Sequence, residues 1–382
     1  MLRTYKFRIY PKKSQQEEMQ THLWLSKNLW NQGLEIAKQM YQDFGKFPSR
    51  QAYQLISKNS GLHSLTAQNI FIRLDLAIKA KIRRKKSSQK GGFPRFKNIE
   101  RMRSLHYPQS GFSLNDRKLK VSSFGEMNIK KHREITGKIK TLTLKKESSG
   151  KWFAVFIVDQ ELVQENHGSI VGIDLGLKTF ATISDGTIIK NPRQIRKYEK
   201  ELIKSDQQLS SKKKGSNNRK KAKLKRAVKY EKLKNVRKDF LHKKSTALVH
   251  TYSFIALEEL SVQKMAEQTY GKSINDAGWR EFTNMLSYKA ESAGCRVVFV
   301  EAKNTTKECS TCGYLSKKEL WERQHNCPSC NLTMDRDLNA AKNILARGLK
   351  FLNRATAGIA GSYACREDNS SLKQEAHEFI RG

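Results

Sequence analysis

The sequence has little negative charge and no long apolar segment. Its 382 residues include 36 Asp and Glu against 74 Lys and Arg, a formal net charge of +38 with His neutral. Apolar runs such as Phe153–Val158 are far shorter than the about 20 residues needed to cross a bilayer. The first residues, MLRTYKFRIYPKK, lack the apolar region of a secretory signal peptide. We therefore expect a cytoplasmic protein with no membrane partner, and a polyanion, first of all nucleic acid, as its ligand.

Cysteine is also scarce, and there is no internal repeat. Six cysteines in a cytoplasmic chain argue against a disulfide framework and for metal binding or incidental thiols. The apolar fraction of 37% is low, but 17 Phe, 12 Tyr and 5 Trp supply enough bulk for hydrophobic cores. At roughly 150 residues per domain, the length predicts two or three domains.

The hydrophobic pattern changes several times along the chain. The predicted elements, in order, are a strand at 1–10, helices within 12–88, a linker at 87–96, short alternating strands at 105–158, two strands at 169–186, a helix–loop–helix at 193–249, a strand at 253–260, a helix at 279–294, a strand at 295–302 and a helix at 335–349. Ser14 followed by Glu17 predicts a capping box that opens the first helix. The residues from 351 to 382 lack apolar periodicity and are expected to be disordered.

Four of the cysteines form two matched pairs. Cys309 and Cys312 make one C-x-x-C, Cys327 and Cys330 make the other, and 14 residues separate the pairs. Two such knuckles present four thiolates in the tetrahedral arrangement that suits Zn²⁺. Because protein ligands fill all four positions, we expect one structural zinc ion rather than a catalytic one.

Three carboxylates lie where apolar elements begin or end. Asp174 and Glu258 occur in apolar strands, and Asp337 lies in the first turn of a helix. Taken singly, each has an ordinary interpretation: a turn at a strand end, a side chain leaving the sheet, or a helix cap supplied by Asp335 or Asp337. Together in so basic a chain they predict an Mg²⁺ site, in which two ions could serve phosphodiester cleavage.

Several stretches of the sequence resemble one family. They are YKFRIYPKKSQ (5–15), GFPRFK (92–97), GIDLGLKTFATISDG (172–186), ALEEL (256–260), W-x-x-F-x-x-M-L-x-Y-K-A (279–290), C-S-x-C-G (309–313), C-x-x-C (327–330) and DRDLNAAKNI (335–344). In this order, over residues 1–345, the chain resembles the TnpB family, the RNA-guided nucleases of small bacterial and archaeal insertion sequences, which are related to type V CRISPR effectors.

The resemblance implies a fold class of α/β with all-β and helical subdomains. The nuclease core would be RuvC-type, of RNase H-like fold, and interrupted in sequence by the zinc knuckle. The implied domains are a wedge-type β-barrel (1–10 and 91–165), a helical recognition lobe (11–90), the RuvC-like core (166–302 and 335–350, with a basic helical segment at 193–249), the zinc-binding knuckle (303–334) and a disordered tail (351–382).

The resemblance also maps the catalytic metal ligands onto Asp174, Glu258 and Asp337. Asp337 is preferred to Asp335 because the family pattern D-x-N-A-A fits the residues from 337 onwards, and Glu259 is second choice to Glu258. In this family a guide RNA from the transposon end pairs with double-stranded target DNA beside a short motif, and the RuvC-like site cuts with Mg²⁺. The implied particle is a monomeric ribonucleoprotein of a prokaryotic cytoplasm, associated with the nucleoid when it is bound to DNA.

Two basic segments are predicted to contact the nucleic-acid backbone. Residues 193–246 hold 21 Lys and Arg against 5 Asp and Glu, and the run at 79–86 ends a helix. The alternative is a pair of solvated charged helices, as is usual for charge runs. The candidate contacts are Lys79, Lys81, Arg83, Arg84, Lys212, Lys213, Lys214, Arg219, Lys220 and Lys221.

Two other functions remain open at this stage. The first is a guide-RNA-dependent DNA-binding regulator that does not cut, since some relatives have lost their carboxylates, whereas this sequence keeps all three. The second is a transposase that acts directly on transposon ends, for which no tyrosine or histidine pair of the relevant kind is evident.

Overall fold

The computed structural model describes residues 1–89, 91–161, 166–260, 271–319 and 321–356. Within this part, Met1–Glu161 forms one compact unit and residues from 166 onwards form another. No helix among the described residues has the length and apolar character that a membrane span requires. The expected disorder from residue 351 is wrong at its start, because the last helix continues to Thr356; residues 357–382 lie outside the described part.

The first unit contains a seven-stranded antiparallel sheet. Its strands are β1 (Leu2–Tyr10), β2 (Ser104–Tyr107), β3 (Phe112–Asn115), β4 (Lys118–Val121), β5 (Gly125–Lys130), β6 (Lys138–Lys146) and β7 (Trp152–Asp159), in the order β2-β6-β7-β1-β5-β4-β3. The alternation in β1 buries Tyr5, Phe7 and Ile9 on one face, as its sequence predicts. The rings of Phe112 on β3 and Phe156 on β7 lie 6.4 Å apart, so the sheet curls over its own core.

Three helices pack in the same unit: α1 (Lys13–Phe44), α2 (Arg50–Lys58) and α3 (Ser64–Lys86). The predicted Ser14–Glu17 capping box is wrong, because the helix cap lies two residues earlier, at Lys12. The side chain of Gln15 accepts the Lys12 N–H instead, at 2.9 Å. A Cβ at Gly33 of α1 would meet the Phe71 ring of α3 at 2.5 Å, so glycine permits this close crossing of the two helices.

The second unit is built on a mixed five-stranded sheet. Its strands are β8 (Ser169–Leu175), β9 (Thr179–Ile183), β10 (Ile188–Lys190), β11 (Tyr252–Glu258) and β12 (Arg296–Val300), in the order β10-β9-β8-β11-β12. The first three form an antiparallel meander, whereas β11 runs parallel to β8 and to β12. The carboxyl ends of β8, β11 and β12 therefore share one edge of the sheet.

Helices cover both faces of this sheet. They are α4 (Gln194–Ser210), α5 (Asn217–Thr251), α6 (Gly271–Ala277), α7 (Trp279–Ala293) and α8 (Arg336–Thr356). Side chains of α5 and α7 join one core with Val171, Ile173, Ile255 and Leu257. Helix α8 packs against the opposite face, where a Cβ at Gly172 would lie 2.2 Å from the Ala341 carbonyl oxygen. A two-stranded ribbon, β13 (Gln324–Asn326) and β14 (Thr333–Asp335), leads into α8.

Candidate functional site

Asp174 and Glu258 lie next to each other at the carboxyl ends of two parallel strands. The register pairs Ile173 of β8 with Leu257 of β11, so the following residues, Asp174 and Glu258, are neighbours. Both side chains face α8, because alternate residues of their strands, Gly172 and Ala256, contact that helix. Each residue is only 9% exposed. Two carboxylates thus lie buried side by side at the edge of the sheet.

The third carboxylate enters from the first turn of α8. Asp337 follows Asp335, whose Oδ1 accepts the backbone N–H groups of Asp337 and Leu338 at 2.8 and 3.1 Å. Asp335 is therefore the helix cap, and the Asp337 side chain is not used for capping. The Arg336 guanidinium lies 3.0 Å from Asp337 Oδ1. Glu259, the second choice beside Glu258, is exposed.

The electrostatics of the cluster favour a bound cation. Burial, followed by the negative charges of Glu258 and Asp337, raises the pKa of Asp174 well above its ordinary value. Burial also raises the pKa of Glu258, although Thr305 and Arg347 oppose the shift. Carboxylates that are ionised only at a cost, and that present oxygen ligands, fit a hard divalent ion. Asp174 and Glu258 therefore have the chemistry of Mg²⁺ ligands, whereas Asp337 is paired with Arg336, and the three carboxylates are not among the described groups whose possible ligand atoms all lie within 4.8 Å of one another.

The side chains that surround Glu258 were not predicted from the sequence. Thr305, which is 2% exposed, donates its hydroxyl to Glu258 Oε1. Asn343 of α8 donates to the backbone carbonyl of Thr305 at 2.9 Å. Thr305 carries no signal in a single sequence, because its role arises only when α8 packs on the segment after β12. Asn343 lies within the motif DRDLNAAKNI, but the motif does not indicate its contact with Thr305.

The four paired cysteines come together as their spacing predicts. The sulfur atoms of Cys309, Cys312, Cys327 and Cys330 all lie within 4.8 Å of one another. Cys309 and Cys330 are 3.6 Å apart, and Cys312 and Cys327 are 3.5 Å apart, sulfur to sulfur. A tetrahedral ion with Zn–S bonds of about 2.3 Å places its sulfurs about 3.8 Å apart. The cluster therefore has the dimensions of a zinc site.

Local donors favour the thiolate form of Cys309 and Cys327 but not of Cys330, where the Leu332 N–H favours the thiolate and yet burial and hydrogen bonds to the other sulfurs raise the pKa to about 12. Burial opposes ionisation of Cys309 and Cys327, but backbone N–H groups within each knuckle, together with side-chain partners, outweigh it. The N–H groups of Thr311 and Cys312 help to lower the pKa of Cys309, and those of Ser329 and Cys330 help to lower that of Cys327 to about 6. Such N–H···S bonds are expected around thiolates that bind metal. By contrast, Cys295 lies buried after α7, where burial raises the pKa of its thiol to about 11.

The predicted basic contacts at 79–86 differ in their surroundings. Lys79 pairs with Asp75 at 2.8 Å, one helical turn away. Lys81 lies over the Phe93 ring, 3.3 Å from its centroid, and near Tyr41. Arg83 and Arg84 are exposed. A nucleic-acid backbone would thus meet the two arginines with less competition than the two lysines.

The loop between α4 and α5 presents a compact group of charges. Lys212, Lys213 and Lys214 are exposed in the loop, and Lys220 and Lys221 are exposed at the start of α5. Arg219 differs, because its Nη1 donates to the carbonyls of Leu209 and Lys212 at 2.7 and 2.8 Å. Arg219 therefore helps to close the loop, in addition to any contact it makes with nucleic acid.

Lys97, at the end of the GFPRFK stretch, was not singled out by charge density. The Asn31 side chain holds both the N–H and the carbonyl of Lys97, at 2.8 and 2.9 Å. The ammonium lies 3.8 Å from the centroid of the Trp30 ring. Burial, aided by the charge of Arg73, lowers the pKa of Lys97 to about 7. A partly buried lysine with this pKa is a candidate anion contact.

Comparisons with family models match most of the described chain. Residues 153–269 match a model described as "Probable transposase", and residues 279–344 match the "Cas12f1-like, TNB domain". Residues 1–46 match a model described as "Helix-turn-helix domain", although the structure there consists of strand β1 and the single helix α1.

Comparisons with curated proteins identify the family. "Putative RNA-guided DNA endonuclease InsQ" of Escherichia coli (strain K12) is 32% identical over 317 residues, which cover 77% of this chain and 76% of that protein. A "Putative RNA-guided DNA endonuclease" of Streptomyces pristinaespiralis is 29% identical over 100% of this chain and 98% of its own. The TnpB-like protein L79 of Acanthamoeba polyphaga mimivirus is 31% identical over 55% of this chain and 44% of its own. The chain belongs to the TnpB family.

Solved structures show the same fold at low sequence identity. A chain from the Cas12f1–sgRNA–target DNA complex has a TM-score of 0.57 and 14% identity, over 90% of this chain and 98% of that one. The mini-RNA-guided endonuclease CRISPR-Cas_phi3 has a TM-score of 0.51 and 11% identity, over 91% and 92% of the two chains. The mixed α/β fold of this chain is thus similar to that of these Cas12-type proteins.

Proposed function

We propose that this protein is an RNA-guided DNA endonuclease of an insertion sequence, and that its nuclease centre is the carboxylate cluster Asp174–Glu258–Asp337. The observation that carries the proposal is that Asp174 and Glu258 lie side by side at the ends of two parallel strands, with Asp337 close enough for its charge to raise the pKa of Asp174, in a member of the TnpB family. The names of the Escherichia coli and Streptomyces relatives and the guide- and DNA-bound Cas12f1 structure support it.

The topology of the second unit supports the assignment of an RNase H-like, RuvC-type core. A meander of three antiparallel strands followed by two parallel strands places Asp174 and Glu258 side by side, and α8 adds Asp337. We assign 166–302 and 335–350 to this core and 303–334 to the zinc knuckle. In the first unit, we assign 1–10 and 91–165 to the wedge-type barrel and 11–90 to the helical recognition lobe.

Asp174, Glu258 and Asp337 would hold Mg²⁺, and we expect two ions. Bound there, Mg²⁺ would supply an activated water and charge stabilisation for the leaving oxygen of a phosphodiester. The chain contributes a low-dielectric pocket, because the strands that carry Asp174 and Glu258 are buried on both faces. Cys309, Cys312, Cys327 and Cys330 would hold one structural Zn²⁺, and metal analysis should find one zinc per chain.

The partners would be a guide RNA from the transposon end and double-stranded target DNA. Base pairing would supply sequence specificity, while the protein supplies shape and charge recognition. The basic loop at 210–221 and the arginines at 83 and 84 are the proposed backbone contacts. We further propose that the active particle is a monomeric ribonucleoprotein that associates with the nucleoid when it binds DNA.

Cleavage by the purified ribonucleoprotein tests the proposal. With guide, Mg²⁺ and matched target, the wild type should cut DNA. Asp174→Ala should cut at least about 10³-fold more slowly, because a loss of ~4 kcal/mol of metal-assisted transition-state stabilisation lowers the rate by that factor. Target binding should be largely retained, because the substituted side chain lies in the carboxylate pocket.

Glu291→Ala is the matched control, because it removes an exposed carboxylate of the same unit. Cleavage by Asp174→Ala at the wild-type rate would contradict the assignment. Tight guided binding by the wild type, without cutting in any divalent ion, would instead favour a DNA-binding regulator.

A further inference from the structure

Amide side chains of α8 form hydrogen bonds with the segment 301–310, which leads from β12 to the first cysteine pair. Asn343 Nδ2 donates to the carbonyls of Thr305 and Glu308 at 2.9 and 2.7 Å. Asn339 Nδ2 donates to the carbonyl of Glu308 at 2.7 Å, and its Oδ1 accepts the Ser310 N–H at 2.9 Å. Both amides are buried. These bonds fix the backbone of the segment relative to the helix that carries Asp337.

A third side chain of α8 forms hydrogen bonds with the part of the segment nearer β12. Arg347 Nη1 donates to the carbonyls of Glu301 and Lys303 at 2.8 and 2.7 Å, and its Nη2 pairs with Glu308 at 2.7 Å. The segment is thus bound to α8 along most of its length. A helix is stiff, so the position of the segment is set by the same element that delivers Asp337.

Thr305 projects from this held segment onto Glu258. Its hydroxyl has two acceptors within reach, Glu258 Oε1 and the Ala302 carbonyl, the latter at 3.2 Å. A hydroxyl has one proton, and a carboxylate is the stronger acceptor. Thr305 therefore donates to Glu258 when that carboxyl group is ionised, as it must be to bind a cation.

We propose that Thr305 is a positioning residue for Glu258, and that Asn339 and Asn343 hold Thr305 in place. The inference rests on the proposed function, because it is as an Mg²⁺ ligand that Glu258 needs a fixed orientation. A glutamate side chain has three torsions, and a buried hydrogen bond selects one arrangement before the cation arrives. The same backbone segment continues into Cys309, so order in the cysteine cluster supports order at Glu258.

The proposal is tested by the dependence of cleavage on Mg²⁺ concentration. Thr305→Val removes the hydroxyl at nearly constant volume, and it should raise the Mg²⁺ concentration for half-maximal cleavage by about 10- to 100-fold, as outer ligand-orienting residues do. Thr305→Ser keeps the hydroxyl and should restore the wild-type dependence. Thr305→Ala is a second hydroxyl-free variant that adds no methyl group and should behave like Thr305→Val.

The matched control is Thr66→Val in the first unit. Thr66 is also buried, and its hydroxyl donates to a backbone carbonyl, that of His106, at 2.9 Å. Its loss should leave the Mg²⁺ dependence unchanged. A second readout avoids activity altogether: Mn²⁺ binding to the ribonucleoprotein, followed by electron paramagnetic resonance, should weaken by a similar factor in Thr305→Val. The part of the Mn²⁺ signal that is lost in Asp174→Ala is the part that comes from the carboxylate site.

The outcomes separate this inference from the proposed function. An unchanged Mg²⁺ dependence and Mn²⁺ affinity in both hydroxyl-free variants would overturn it. A fall in cleavage at saturating Mg²⁺ without a shift in dependence would also overturn it, because that is the mark of general damage. If the wild type does not cut at all, the proposed function fails, whereas weaker Mn²⁺ binding in Thr305→Val would still support the positioning role.

Discussion

The first unit partly buries several basic side chains, whereas the second buries two carboxylates. In the first, burial lowers the pKa of Lys97 to about 7, of His106 to about 4 and of Arg73 to about 10, and the charge of Arg73 adds to the shift at the other two. In the second, burial raises the pKa of Asp174 and Glu258. Each unit holds ionisable groups in a state that a ligand of opposite charge would relieve: a phosphate in one and a divalent cation in the other.

The second unit also separates its charges by depth. Its carboxylates lie inside at the sheet edge, whereas the lysines of the α4–α5 loop lie outside. A polyanion would therefore meet the surface of the same unit whose buried carboxylates we propose as cation ligands. The contrast with the first unit, where bases are partly buried, leads to three expectations, of which the largest concerns the exposed loop.

Replacing Lys212, Lys213 and Lys214 together by Ala should weaken guide-RNA binding about 100-fold at ~0.1 M salt. Each phosphate contact to a single strand contributes about 0.7 to the slope of log affinity against log salt, so three lost contacts lower the slope by about 2. Filter binding across a salt series measures both quantities.

The triple replacement by Arg keeps the charge and should keep the slope. An unchanged slope in the Ala variant would mean that this loop is a solvated surface, and that the outer bases of the second unit have no part in RNA binding.

The next effect concerns the buried carboxylates. Asp174→Asn should raise the free energy of unfolding of the metal-free protein by about 1–2 kcal/mol near neutral pH, because it removes a carboxyl group that burial makes costly to ionise. A raised carboxyl pKa means that the native state keeps a proton that the unfolded chain has released, so wild-type stability falls as pH rises above about 4. The variant should show less of this fall.

Thermal unfolding with and without Mg²⁺ measures the effect. Mg²⁺ should stabilise the wild type more than Asp174→Asn. Asp335→Ala is the comparison of opposite sign, because it removes a helix cap and should cost about 1 kcal/mol. Lower stability of Asp174→Asn at every pH would show that the cluster is not electrostatically strained.

The smallest expected effect is at Lys97 in the first unit. Its lowered pKa means that between about pH 7 and 10 the unfolded chain binds a proton that the native state lacks, so this lysine makes stability rise with pH. Lys97→Met should therefore be more stable than the wild type near pH 7, by about 1 kcal/mol, and the advantage should shrink towards pH 10.

Denaturant unfolding at several pH values checks the expectation, with the exposed Lys120→Met as the control. A constant difference between Lys97→Met and the wild type across this range would mean that Lys97 stays protonated. In that case burial would not shift the pKa of this base in the first unit as it shifts the pKa of the carboxyl groups in the second.

The features that could be predicted from the sequence are those set by the hydrophobic period of one strand or by the spacing of a few residues. The apolar strands around Asp174 and Glu258 form as predicted, and the two C-x-x-C pairs meet. The boundaries of the helix–loop–helix differ by only a few residues from those expected. These features depend on period and spacing, which a sequence displays directly.

Features that depend on contacts between distant segments were missed. The bond between Thr305 and Glu258 joins residues 47 positions apart, and nothing near either residue announces it. Lys97 differs from other lysines only because Trp30 and Asn31 of α1 enclose it. The choice of Asp337 over Asp335 came from the family pattern, and the physical reason for it, the capping role of Asp335, required the structure.

The order of the elements along the chain has a consequence for synthesis. The basic run at 79–86, the basic loop at 210–221 and the strands with Asp174 and Glu258 all leave the ribosome before α8, which brings Asp337, Asn339 and Asn343. The proposed RNA contacts are therefore synthesised before the proposed nuclease centre is complete.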